Sequence, residues 1–328
     1  MSIHPAKRND LLELLRFLSC LFILLIHCPL PGIPGAAVID FGRYGVPFFL
    51  MVSGWFSFSH DRSVMLIRAE RQLRKTIRLI VFFTVSYCIM NSVCGMIQGS
   101  MPFAWVTNYC NRKTVLYFFL FNRALFFGSS AYYIFMLLYI YILFILYLRY
   151  RLPKYILYAS PLLVLVNIFC GKYTGLPWFC YGNFLFTGIP CFALGHLLHK
   201  HNERFSRISL RKWVGLFVLG VFSVFFEAYT AKTAYCYFGS VLMAASLLMI
   251  PLSNTRSYLP RIAQVSGRYA TVIFIIHCGI RDILNAVFLR LDISCPEYLF
   301  PFVVIITSIL FSILWDHTAQ KHTAKRQG

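Results

Sequence analysis

The sequence predicts an all-α protein, a polytopic bundle of about ten transmembrane helices with both termini in the cytoplasm. Three observations predict it. The 328 residues are 59% hydrophobic and only 13% charged, with mean hydropathy +0.68, whereas a soluble domain carries about 25% charge. Apolar runs recur from residue 11 to residue 315, which leaves no room for a separate soluble domain, so residues 1–328 read as one membrane domain. Finally, the Lys and Arg residues behind the net charge of +20 gather in alternate loops. The N-terminus, the even-numbered loops and the tail hold most of them, and positive loops stay in the cytoplasm. In a membrane chain this charge speaks first of topology rather than nucleic acid, and second of an anionic cofactor or lipid headgroup. No cleavable leader is expected, because the first apolar run lacks a small-x-small cleavage site.

Taken in order, span 1 covers about 11–29 and is ended by Pro29, Pro31 and Pro34. A short loop with Asp40 and Arg43 leads to span 2, about 44–59, where Pro47 sits in the tolerated first turn. Ser53-Gly54 within it suits a substrate contact or a notch for close helix packing. Arg62, Arg68, Arg71, Arg74, Lys75 and Arg78 form the densest basic run. The last four are three or four residues apart and make one cationic stripe on a helix. Span 3 follows at about 79–97. Residues 98–130 include an aromatic stretch, 115–127, interrupted by Arg123. They read as an outside segment with an interfacial or re-entrant helix, because a full span there would divide the basic loops between both sides. Span 4 is about 131–148 and span 5 about 155–170. A Gly/Pro/Trp-rich outside loop runs to Asn183, and span 6 ends near His199. Span 7 covers about 213–229, with Glu227 near its end, and span 8 about 234–252. Span 9, about 269–288, carries His277, Arg281 and Asp282, and span 10 is about 298–315.

Chemistry points first to span 1. An ionisable group in a bilayer costs roughly 2.5–3.5 kcal/mol on insertion scales and marks a functional candidate. Arg16 and His27 are eleven residues apart, about 20° past three full turns, so they share a helix face about 16–17 Å apart. Arg16 is also open to a second reading as an anchor paired with Glu13 and snorkelling to the surface, and His27 as a polar group satisfied by a neighbouring helix. Span 9 adds His277 and Arg281, four apart on one face, while Asp282 points about 100° away and is not expected to be a simple partner of Arg281. Such a set suits transfer of an acyl group to a hydroxyl. A neutral histidine takes the hydroxyl proton, and arginines hold an anionic donor or the developing oxyanion.

Other chemistries lack their motifs. There is no G-x-S-x-G, no Gly-rich phosphate loop and no dinucleotide fingerprint. Cys28 is disfavoured as a nucleophile because its neighbour His27 faces elsewhere on the helix. His196, His199 and His201 lie at a helix end without a carboxylate or cysteine, which suits an interfacial role and not zinc, so no metal is expected. The eleven cysteines show no C-x-x-C spacing. Most, such as Cys20, Cys88, Cys94, Cys191 and Cys278, lie in apolar runs as small hydrophobes, while pairing stays open for Cys110, Cys180 and Cys295 in outside loops. Trp178 and Tyr181 suit a sugar ring or an interfacial belt equally.

The arginine, ten intervening residues and histidine of span 1 resemble the opening motif of the acyltransferase 3 family. These are integral membrane acyltransferases, many of which O-acetylate bacterial surface polysaccharides. Further matches follow in order: Pro47-Phe48-Phe49 to Ser53-Gly54, Arg74-Lys75-Thr76-Ile77-Arg78-Leu79, Asn183 to Lys200 with Gly188 and Gly195, and Thr271-Val272-Ile273-Phe274-Ile275-Ile276-His277. Departures are Ile80-Val81 where a proline often stands, Tyr132-Tyr133 for a tryptophan, and Phe274 for a tyrosine. With no fused hydrolase-like domain, the chain resembles the stand-alone form.

The resemblance implies an acyl-CoA donor, most often acetyl-CoA, arriving from the cytoplasm, with no tightly bound cofactor. Arg71, Arg74, Lys75 and Arg78 would meet its phosphates. Arg16 would stand at the mouth of the acyl-pantetheine tunnel, and His27 would act as general base or relay the acyl group. Ser53, His277 and Arg281 would support the substrates. The implied partners are acyl-CoA, a glycan or lipid-linked sugar acceptor and membrane lipid, without nucleic acid, in a bacterial inner membrane. The reading from another class is a multi-pass transporter or lipid-linked-sugar permease. It predicts internal repeats with broken helices in matching positions, and none is evident.

Overall fold

The computed structural model describes residues 9–325 apart from 102, 104, 107–111, 123–131, 231–235 and 254–260, and gives the backbone alone for 252–253, 261–268 and 318–325. The regular structure described is all helical. In chain order the helices are α1 (Asp10–His27), α2 (Gly32–Gly42), α3 (Gly45–Ser57), α4 (Arg62–Ile97), α5 (Arg112–Phe121) and α6 (Tyr132–Arg149). Then come α7 (Lys154–Tyr173, through one 3-10 turn), α8 (Ile189–Lys200, after a π turn at Phe184–Gly188), α9 (Asn202–Phe205), α10 (Leu210–Thr230), α11 (Phe238–Ser253), α12 (Arg261–Arg290) and α13 (Phe300–Lys325).

Two elements depart from the sequence expectation. The stretch read as a loop around Asp40 is α2. Its proline, Pro34, is the third residue of the helix, where no intrahelical N–H bond is lost. Span 3 and the basic run before it are one helix, α4, of 36 residues, about 54 Å long at 1.5 Å per residue. Asp61 caps it, accepting from the Ser63 N–H at 2.8 Å. The aromatic stretch after residue 111 forms α5, ten residues long, about 15 Å and too short to cross a bilayer. Arg123 and Cys110 lie outside the described residues.

Seven helical segments are long and apolar enough to cross a membrane, by length and composition: 32–57, 62–97, 132–149, 154–173, 210–230, 269–290 and 300–317. Their outer faces are apolar. On α4, Ile77, Val81, Val85 and Ile89 recur every fourth residue and are all exposed, and Val214, Val218, Phe222 and Phe226 do the same on α10. Apolar stripes on the outside require a hydrocarbon surrounding. The remaining three expected spans are α1, which carries Asp10, Glu13 and Arg16, the 17 residues from Phe184 to Lys200, and α11 with 16 residues. These shorter or more polar helices are the enclosed ones. α8 has no exposed residue, and α1 exposes only Leu18.

Contacts between helix ends define an Arg16 end and a His27 end of the bundle. At the Arg16 end, Asn9 Nδ2 donates to the Pro251 carbonyl at 2.9 Å, joining the start of α1 to the end of α11. Arg68 donates to the Phe58 carbonyl, and His199 stacks on Trp55. At the other end, Tyr237 at the start of α11 donates to Asp40 of α2 at 2.9 Å. Two apolar cores fill the bundle. One centres on Phe48, Leu50, Met51, Met136 and Met243, the other on Ile23, Leu24, Phe83, Ile273 and Ile276. α1 and α6 contribute to both, and the candidate site lies along the seam between them.

Helices α3 and α8 cross in near backbone contact. A Cβ on Gly54 would stand 1.9 Å from the Phe192 carbonyl oxygen, and one on Gly195 would stand 2.0 Å from that of Met51. Gly54 is therefore the packing notch of the Ser53-Gly54 pair.

Candidate active site

Helix α1 is unbroken from Arg16 to His27, as the spacing predicts. The two residues do not share one cavity. Arg16 lines a pocket of about 150 Å³ with Ser53, Lys75, Thr76, Tyr133 and Phe274. His27 lines a second, of about 260 Å³, with Arg43, Pro47, Tyr132, Trp178 and Thr187. Between them stands an aromatic layer. Phe49 packs on Tyr133 (ring centroids 6.0 Å), Tyr133 on Phe274 (5.3 Å), Phe274 on His277 (6.1 Å) and His277 on His27 (5.3 Å).

At the inner pocket, Arg16 forms the ion pair with Glu13 that the spacing allows, Nη1 lying 3.0 and 3.1 Å from its two oxygens. Its Nε is buried with no hydrogen-bond partner among the described residues, so this N–H remains for an anion. The Ser53 hydroxyl donates back to the Phe49 carbonyl at 2.9 Å, and the Tyr133 and Tyr141 hydroxyls lie near it. Ser53 thus faces the pocket while Gly54 packs. Of the basic stripe, only Lys75 lines this pocket; Arg71, Arg74 and Arg78 are exposed on α4 outside it.

At the other pocket, α12 supplies His277 and Arg281. His277 is 1% exposed, and its Nδ1 lies 3.1 Å from the Ile273 carbonyl. A carbonyl only accepts, so Nδ1 carries the proton and Nε2 of the neutral ring is left with its lone pair. That Nε2 is buried with no partner among the described residues. Arg281 Nη1 donates to the His27 carbonyl at 2.7 Å, capping the C-terminus of α1. It also pairs with Asp282, Nε to Oδ1 at 2.8 Å and Nη2 to Oδ1 at 2.7 Å. The expectation that Asp282 points away from Arg281 is therefore corrected. The Cα vectors do diverge, but a long guanidinium folds sideways along the helix to reach its neighbour. The ligand atoms of His27, His277 and Cys278 lie within 4.8 Å of one another. The Arg281 guanidinium beside them opposes a divalent cation there.

Other sequence candidates are sorted by their contacts. His196 Nδ1 pairs with the Ser57 hydroxyl at 2.8 Å, His199 Nδ1 with the Trp55 carbonyl, and His201 Nε2 with the Tyr158 hydroxyl at 3.0 Å. Each histidine has its own partner, and the three form no metal-capable group among the described residues. Trp178 packs edge-on to Tyr132 (5.8 Å) in the His27 pocket, whereas Tyr181 is buried and its carbonyl accepts from Asn167. Cys180 and Cys295 are free thiols. The sequence reading did not single out Arg43 as a pocket residue. Its pairing with Asp40 at 3.4 Å is local, three residues back, but its position over the Tyr237 ring depends on α2 and α11 meeting, which no local pattern signals.

With this geometry in view, the sequence model of a family described as an acyltransferase domain matches residues 9–315. No curated protein and no solved structure matches the chain.

Proposed function

The chain belongs to the acyltransferase 3 family, and from that premise we propose that it moves an acetyl group from acetyl-CoA to a hydroxyl of a surface or lipid-linked glycan. The observation that carries this reading is the pair of pockets on either side of one aromatic layer, with Arg16 in one and His27 in the other. The Arg16 end takes the donor and the His27 end the acceptor. The cationic α4 stripe of Arg71, Arg74, Lys75 and Arg78 draws the anionic donor toward the inner pocket. Trp178 and Tyr132 offer aromatic faces to a sugar ring, and Arg43 a donor to its hydroxyls.

In the reaction, His27 removes the proton of the acceptor hydroxyl as its oxygen attacks the thioester carbonyl. The carbon–sulfur bond breaks, and the CoA thiolate leaves and takes up a proton. Arg16 holds the thioester end of the donor. His277, with its Nδ1 proton committed to Ile273, offers Nε2 beside His27 as a second proton-accepting position. For thioester and hydroxyl to meet, the layer of Phe49, Tyr133 and Phe274 must part.

Ten spans, with both termini and the Arg16 end in the cytoplasm of a bacterial inner membrane, complete the proposal. The basic loops support that orientation, as does the gathering of the even-numbered loops at one end of the bundle. The test is CoA release from acetyl-CoA by purified protein, with and without a mixed glycan pool. Glycan-stimulated release that disappears in His27→Ala supports the reading. Folded protein that neither binds nor cleaves acetyl-CoA would replace it with a permease, for which two pockets across a closed layer are equally suited.

A further inference from the structure

A second basic cavity lies at the Arg16 end, apart from the two pockets described above. It occupies about 520 Å³ between the ends of α3, α6 and α8 and the starts of α4 and α7, and Arg62, Arg151, Lys154 and Lys200 line it with Phe58 and Tyr147. A smaller space of about 360 Å³ shares its Phe58–His60 wall and Lys200, and adds Arg68. Among the described residues no carboxylate lines the larger cavity, and Glu203 is the one carboxylate at the smaller. Among the described residues none of Arg62, Arg151, Lys154 and Lys200 forms an ion pair. Four cations converging in a concave space without counter-charge repel one another and focus a positive potential on an anion.

The backbone at Arg151 adds an independent sign. The Leu152 N–H bonds to the Tyr147 carbonyl at 3.1 Å and the Arg151 N–H to that of Leu148 at 3.4 Å, which is a Schellman end to α6. The residue at the left-handed position of this motif is Arg151, with φ +54°. Glycine is favoured there because it has no Cβ to clash. An arginine in this conformation gives up backbone stability, and its side chain lines the cavity.

The cavity and the inner pocket share no lining residue, but α6 and α3 lead from one to the other. On α6, Tyr141 lines the pocket and Phe144 the cavity, about one turn further; on α3, Ser53 lines the pocket, and Phe58, just past the end of that helix, lines the cavity. We propose that this vestibule seats the phosphate-bearing nucleotide end of the acyl donor, with the pantetheine arm running along α6 and α3 to Arg16. The proposal rests on the acyl-CoA reading above and moves the phosphates off the exposed stripe of Arg71, Arg74 and Arg78. Arg62, Arg151, Lys154 and Lys200 make charge-assisted bonds to phosphate oxygens, and Phe58 and Tyr147 offer ring faces to the base.

The test is calorimetric titration of the detergent-purified full chain with CoA and with pantetheine, alongside thermal melting, for the wild type, Arg151→Gly and Lys154→Ala. The expected result is that the wild type prefers CoA to pantetheine. Arg151→Gly cuts that preference at least tenfold without lowering the melting temperature, and Lys154→Ala cuts it with no gain in stability. A purely structural arginine would leave the preference intact. If both variants keep the wild-type preference, the vestibule is not the nucleotide seat, while the acyl-CoA reading stands. Should phosphatidylglycerol in the micelles displace CoA in an Arg151-dependent way, the site belongs to a lipid headgroup and the proposal falls. Wild-type protein that binds no CoA overturns the acyl-CoA reading and this proposal together.

Discussion

The two ends of α1 are built on opposite plans. Around Arg16 the protein is open and basic: one ion pair with Glu13, a guanidinium Nε with no hydrogen-bond partner among the described residues, and a vestibule of cations with no lining carboxylate among those residues. Around His27 the charged groups are matched to one another. Arg281 is held by Asp282 and the α1 carbonyl, and Arg43 by Asp40, itself bonded to Tyr237. Unmatched positive charge suits a ligand that brings several negative charges. Matched charge suits a neutral, hydroxyl-rich one, which needs directed hydrogen bonds and a base rather than a field. In the proposed reaction, one helix would thereby serve two substrates of different electrostatic character.

Substitutions can break this contrast or sharpen it. The largest effect is expected at His27. His27→Ala should lower acyl transfer by about 10²–10⁴-fold, the usual worth of general base catalysis, while CoA affinity measured by calorimetry stays near wild type. Equal losses in both would erase the division between the ends. Next, Arg16→Ala should weaken donor binding by roughly 10- to 100-fold, as loss of a charge-assisted hydrogen bond of about 1.5–3 kcal/mol implies, with the acceptor KM nearly unchanged. Gly195→Ala forces a methyl group onto the Met51 carbonyl and should cost about 1–3 kcal/mol of stability in a denaturation assay. The inner pocket should suffer first, because Ser53 stands beside the disturbed crossing. Tyr133→Ala opens the layer between the ends. It should raise CoA release without acceptor by about two- to fivefold, as water reaches the thioester. The smallest effect belongs to Arg71→Ala. That side chain is exposed and outside the pocket, so about a twofold change in donor affinity at low salt, vanishing at high salt, is expected.

What the sequence disclosed follows from how local each feature is. The common face of Arg16 and His27 is fixed by helical repeat alone, and the Glu13 partner lies within one turn. The helical bundle and the uneven distribution of basic loops are compositional and equally legible. The splitting of Arg16 and His27 between two pockets is not local. It depends on Phe49, Tyr133 and Phe274 arriving from three helices. Likewise Lys75 and Arg71 look equivalent along the chain, yet rotation of α4 against α6 and α12 turns only one toward the pocket. The prolines around α2 suggested a loop because Pro34 breaks a helix in most positions, and its place in the first turn appears only once the helix start is known. Arg151 had no sequence signal, since a left-handed backbone at an arginine is visible only in the folded turn.

The pairing of α1 with α12 has a consequence for how the protein is made. The Arg281 to His27 contact joins residues 254 apart, and the Cys20 thiol reaches the Ala270 carbonyl over 250. Helix α1, carrying three charged side chains, leaves the ribosome long before α12, the helix that caps its C-terminus. Until α12 inserts, α1 must wait in the membrane or at its edge with Arg16 and its terminal carbonyls solvated by water, lipid headgroups or an insertion chaperone. Nascent chains truncated before residue 261 should therefore be unstable in the membrane and prone to proteolysis. The two ends of α1 are held in place only once α12 has joined it.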